Sequence, residues 1–128
     1  MSIESENPPP TFSVRVRARS FIFAWRGLQS LMATQHNAWI HGVATAFVLA
    51  VSVLLKISAD DWRWIVLAIS VVWVAEALNT AVEQLGDAIT GEIHPKIGFA
   101  KDVAAGAVLI SAVGSAVIGA LTLLPYVI

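Results

Sequence analysis

The sequence predicts an all-α membrane protein with one N-terminal interfacial amphipathic helix followed by three transmembrane helices. Two observations carry this. Of 128 residues, 57% are hydrophobic and only 13% charged, with a mean hydropathy of +0.74; soluble domains run at roughly 45–50% apolar and about 25% charged. The apolar residues also fall into three runs of spanning length, separated by short polar links. Cysteine is absent, which excludes disulfides and thiolate chemistry. Helices this few are too thin to enclose a large pocket alone, so a sizeable site needs several copies of the chain.

Residues 1–11 are polar and proline-rich, including Pro8-Pro9-Pro10, and read as a disordered tail preceding a single membrane domain over 12–128. No apolar stretch of signal-peptide type occurs in the first 20 residues, so no cleavable leader is expected. Over 12–34, Val14, Ala18, Phe21, Trp25, Leu28 and Met32 recur at three or four residues, with Arg15, Arg19 and Arg26 on a neighbouring face. A basic amphipathic helix carrying Trp and Phe suits the membrane interface. Packing of the same helix on the spans is the plainer alternative.

The first span is expected near 37–55. Its link to the second, 56–61, ends in Asp60 and Asp61, either of which can cap the next helix, and Trp62 and Trp64 follow as interface anchors. The second span covers 62–89. Residues 90–96 form a loop broken by Gly91 and Pro95, and the third span covers 99–124, ended by Pro125. Four arginines precede span one and Lys96 and Lys101 flank the second loop, against Lys56 and Arg63 at the opposite surface. The positive-inside rule then puts the N-terminus in the cytoplasm of a bacterial inner membrane. In span three, Ala107, Ser111, Ser115 and Gly119 form a small-residue stripe suited to helix packing and to no chemistry.

Chemistry gathers at the cytoplasmic end of span two. Glu76, Asn79, Glu83 and Asp87 stand at offsets of 3, 7 and 11 residues, within about 80° of one helical face. Each ionisable group at membrane depth costs about 2.5 kcal/mol or more. Three readings compete. Polar glue between helices needs one or two such groups, and proton or cation transport also uses membrane carboxylates. Metal-assisted group transfer needs acids as metal ligands and another as base, with Lys101 and Asp102 on span three completing the site. No P-loop, G-x-G-x-x-G or H-E-x-x-H is present. His36, His41 and His94 lack metal-ligand spacing; the first two read as interface residues, the third as a loop residue, and none is assigned catalysis.

The run Glu76-Ala77-Leu78-Asn79-Thr80-Ala81-Val82-Glu83, with Asp87 following, resembles the signature of prokaryotic diacylglycerol kinases. His94-Pro95 and the stretch from Ala100 to Leu109 look more like the undecaprenol kinase branch, and Ala24-Trp25-Arg26-Gly27-Leu28 also matches. The likeness runs from about Val16 to the C-terminus. It implies a homotrimeric lipid kinase with composite sites at subunit interfaces, using ATP as co-substrate and Mg2+, acting on undecaprenol or diacylglycerol and not on nucleic acid. Carried over residue by residue, Glu76 matches the general base and Asn79 a residue orienting base and phosphate. Glu83 matches a ligand of the nucleotide's metal; Lys101 and Asp102 match the nucleotide contacts, with Asp87 in the same cluster. A second metal-binding acid of the family falls on Gln35, which keeps an oxygen but loses the charge. A kinase with raised magnesium demand is expected, with a degenerate inactive member or a small proton- or cation-coupled transporter as alternatives. A family arginine falls on Val16, between Arg15 and Arg17, and its role stays unassigned.

Overall fold

The computed structural model describes residues 11–128, so the expected disordered tail lies outside the described residues except for Thr11. Four helices follow in order: α1 (Val14–Thr34), α2 (His36–Leu54), α3 (Ala59–Ile89) and α4 (Pro95–Leu123), then a 3-10 turn, Leu124–Tyr126. The last three helices are long and apolar enough to cross a membrane.

Each boundary has a local cause. Between α1 and α2 the chain turns on one residue, Gln35, whose backbone is extended (φ −110°, ψ 117°). Its N–H still closes α1 by donating to the Leu31 carbonyl at 3.1 Å. At the far end of α2, Lys56 adopts φ 52°, the left-handed conformation that usually falls to glycine. The Lys56 N–H donates to the Val53 carbonyl and the Ile57 N–H to the Ser52 carbonyl, so two orphan carbonyls are satisfied in a Schellman closure. Ile57, 6% exposed, then tucks under the helix end.

Two boundaries differ from expectation. The second span starts at Ala59, three residues early, because Ser58 rather than Asp60 or Asp61 is its cap: Ser58 Oγ accepts from the Asp61 N–H at 3.1 Å. In a capping box the third helical residue reaches back to the cap's own N–H. Here that N–H instead donates to the hydroxyl of Tyr126 at 2.9 Å, and the hydroxyl in turn donates to Asp61. The third span starts at Pro95, which was expected in the loop. A proline at the first helical position loses no hydrogen bond, since that N–H has no partner in any helix. The loop is therefore only 90–94.

α3 and α4 form the main interface, and Ser115 of the small-residue stripe donates to the Ala68 carbonyl across it at 2.9 Å. α2 lies on α3 through a seam at alternating three- and four-residue steps: Ala38, His41, Thr45, Val48 and Ser52, of which Ala38 and Ser52 are completely buried. Within it Trp73 Nε1 donates to Thr45 Oγ1 at 3.0 Å. Most remaining apolar side chains face outward, Phe47, Ile110 and Leu121 among them.

Length then positions the site. At 1.5 Å per residue α2 is about 28 Å long, close to a hydrocarbon core of about 30 Å, whereas α3 and α4 reach about 46 and 44 Å. Because Tyr126 ties the end of α4 to the start of α3, the surplus projects at the opposite end, where the polar stripe lies.

Candidate active site

Along the stripe on α3, burial falls away toward the helix end. Glu76 is 1% exposed, as buried as Ile65, and Asn79 is 5% exposed. Glu83 is half-buried and Asp87 exposed. Asn79 Nδ2 donates to Glu83 Oε1 at 3.2 Å, a one-turn bond that fixes both side chains. Glu76 Oε2, Asn79 Oδ1 and Thr80 Oγ1 are buried with no hydrogen-bond partner. Three orphan oxygens within five residues depart from the rule that buried polar groups are satisfied, which makes this stretch the candidate ligand site.

The nearest titratable neighbour of Glu76 comes from another helix: His41 Nε2 stands 3.5 Å from Oε2, outside hydrogen-bond geometry. Sequence reading gave His41 no role and did not foresee this contact. The contact depends on the register of α2 against α3, which no spacing within α2 reveals. Thr80 was likewise missed, although its place one residue after Asn79 was a usable signal.

A second cluster lies about 15 Å further along α3, by helical rise from Glu76 to Gly86. There Lys101 of α4 hydrogen-bonds and ion-pairs with Asp87 of α3. The lysine reaches across because Gly86 leaves room: a Cβ there would stand 2.9 Å from both Lys101 Cε and Ile97 Cγ2. Beside this pair a hollow of about 380 Å³ is lined by Gly86, Asp87, Thr90, Glu92, His94 and Lys101. Asp102, by contrast, is exposed and makes no hydrogen bond or ion pair among the described residues; neighbours on a helix do not share a face. Gln35 sits half-buried at the α1–α2 corner, its amide donating to Thr34 Oγ1 at 3.4 Å.

Among the described residues no group of three or more His, Asp or Glu side chains converges as a ready-made metal cage. Magnesium does not need one, since it is commonly held by one or two carboxylates together with substrate phosphates. Glu83, held by Asn79 and next to an orphan amide oxygen, fits that pattern. α1 covers this part of α3, with Leu28, Leu31 and Thr34 facing Ala77, Thr80 and Gln84 across a shallow groove.

Known proteins resemble this chain over most of its length. The chain is 41% identical over 107 residues to the undecaprenol kinase of Bacillus subtilis, covering 84% of this chain and 87% of that one. It is 36% identical to a diacylglycerol kinase of Synechocystis, covering 83% of this chain and 61% of that one. The diacylglycerol kinase of Escherichia coli K12 is 29% identical over 89 residues, 70% of this chain and 73% of that protein. A family profile described as prokaryotic diacylglycerol kinase matches residues 22–123. An acid stripe that starts from a buried carboxylate on the second of three apolar helices and a match of this extent lead to one conclusion: the chain belongs to the prokaryotic diacylglycerol kinase family.

Proposed function

We propose that this lipid kinase transfers the γ-phosphate of ATP to the primary hydroxyl of undecaprenol, with diacylglycerol as the second-ranked acceptor. The observation that carries the assignment is the sealed carboxylate of Glu76, 1% exposed, on the same helical face as the half-buried Glu83. Seven residues separate them, about 10 Å of helical rise. The identity to the Bacillus undecaprenol kinase, higher than to the diacylglycerol kinases, supports the preference for a prenyl alcohol.

Phosphoryl transfer asks a protein for in-line positioning and charge neutralisation. Glu76 is the general base, taking the proton of the lipid hydroxyl in surroundings too dry for water to compete. Asn79 orients Glu83 through their hydrogen bond. Glu83 would hold magnesium, with Gln35 as the uncharged second position; the ion, when bound, neutralises phosphate charge. Lys101 contacts the phosphates, and Asp87 keeps its ammonium extended over the hollow between α3 and α4. Asp102, at the same end of α4 but off the face that Lys101 occupies, is the second nucleotide contact that the family resemblance implies.

The reading also includes the assembly. α1 buries only Leu31 and leaves Phe21, Phe23 and Trp25 exposed, as a helix lying in the membrane interface does. The apolar outer faces of the spans meet lipid and two further copies in a homotrimer, whose neighbouring subunits close the sites. The N-terminus and the 90–94 loop face the cytoplasm of a bacterial inner membrane, where ATP is available.

The test is transfer of label from γ-labelled ATP to undecaprenol and diacylglycerol, presented side by side to the reconstituted chain. Undecaprenol is expected to take label faster. Glu76→Gln is expected to lose about 100- to 10,000-fold in rate, the scale of removing a general base, while keeping its helicity and oligomeric size. Persistent labelling by Glu76→Gln refutes the base assignment; a wild-type chain that labels neither lipid points to a degenerate member.

A further inference from the structure

We infer that His41 is a positioning residue for Glu76 that carries away the proton Glu76 abstracts, an inference resting on the kinase reading above. Glu76 lies 13 residues from the end of α3, about 20 Å of helix, and 1% exposure leaves it no direct path to water. A base that cannot discharge its proton turns over once. His41 Nε2, 3.5 Å from Glu76 Oε2, is the sole imidazole or cation within 4.0 Å of it among the described residues. Its side chain is 16% exposed and stands five residues into α2, about 8 Å from the α1–α2 corner.

The placement is built rather than incidental. One turn further along α2, Thr45 accepts from Trp73 Nε1; one turn earlier, Ala38 is completely buried. Trp73 precedes Glu76 by three residues, so the same pair of helix faces that makes the Thr45–Trp73 bond holds His41 against Glu76. Among the described residues no other titratable group pairs with His41. α4 brings Ala112, Ser115, Ala116 and Gly119 to the groove that His41 lines. The arginines of α1, Arg15, Arg17, Arg19 and Arg26, are exposed and pair with no carboxylate among the described residues.

The step balances. The lipid O–H bond breaks and its proton passes to Glu76; the oxygen's electron pair forms the bond to the γ-phosphorus. The bond from γ-phosphorus to the bridging oxygen breaks and ADP leaves with that pair. Glu76 then gives its proton to His41 Nε2, and the imidazolium returns it to water at the membrane surface.

The experiment measures kcat and both KM values for the reconstituted full chain, His41→Gln, His41→Ala and Glu76→Gln, with and without added imidazoles of graded basicity. Expected is a fall in kcat of roughly 100-fold in both His41 variants, the low end of the range for a proton-transfer group, with KM for lipid and ATP within about twofold of wild type. Imidazoles should restore His41→Ala in order of their base strength and leave Glu76→Gln inactive. A wild-type kcat in His41→Gln overturns the relay and leaves the kinase reading standing. So does a loss of rate that no imidazole relieves, which assigns His41 to packing. A wild-type chain that labels no lipid brings down both.

Discussion

Gly86→Ala isolates the contact that lets Lys101 cross from α4 to α3. Two effects oppose each other in stability. Alanine in a helix interior is favoured over glycine by about 1 kcal/mol, whereas overpacking costs about 1–3 kcal/mol. The added Cβ would stand 2.9 Å from Lys101 Cε and Ile97 Cγ2, where ordinary carbon contacts are about 3.5–4.0 Å. Lys101 is the more compliant neighbour, so its far end moves aside and the Asp87 contact is lost. Net stability should shift by only about 0–2 kcal/mol, which makes melting a poor readout. Kinetics are the better one. A charge-assisted contact is worth about 1.5–3 kcal/mol, and each 1.4 kcal/mol is about tenfold. Partial misplacement of Lys101 should therefore lower kcat/KM for ATP by about tenfold and leave the lipid KM unchanged. Steady-state assays in mixed micelles, varying ATP and lipid separately, measure this, with Lys101→Ala as the limit of full loss. If Gly86→Ala keeps wild-type ATP kinetics while Lys101→Ala loses more than tenfold, Lys101 does not depend on the space at Gly86.

Gln35→Glu should restore a charge at the α1–α2 corner and lower the magnesium concentration for half-maximal rate; an unchanged or raised requirement removes Gln35 from the metal site. Tyr126→Phe should cost about 1 kcal/mol by deleting the hydroxyl that serves both Ser58 and Asp61, read as a lower melting temperature in detergent with kcat retained. Lys56→Gly should gain about 0.5–1 kcal/mol, because glycine occupies φ 52° without the Cβ clash, less its larger entropy loss on folding. A melting temperature at or below wild type counts against that account.

The helices were legible in the sequence to within a few residues because lipid imposes length and apolarity on each span. What sequence missed at the boundaries was cooperative. Ser58 caps α3 with help from Tyr126, 68 residues away, and no local pattern announces such a partner. The stripe from Glu76 to Asp87 was legible for the opposite reason, since all four positions belong to one helix and obey its period. Lys101 was proposed from its place at the cytoplasmic edge of span three and again through resemblance, and the structure pairs it with Asp87. His41 was not found, because its meaning comes from the sliding register of α2 on α3. Gly86 was overlooked because a missing side chain has no pattern until something is seen lying against it.

The Tyr126 fastening has a mechanical corollary. It joins the termini of the two longest rods at one extremity, where Ser58 and Asp61 bolt them together, while the other extremity is bridged by a five-residue strap containing Gly91. Side-chain bonds thus fasten the pair at both extremities, Tyr126 with Ser58 and Asp61 at one and Lys101 with Asp87 at the other. On the proposed mechanism an incoming polyanion competes for Lys101, so the second fastening is the one that has to open in every cycle.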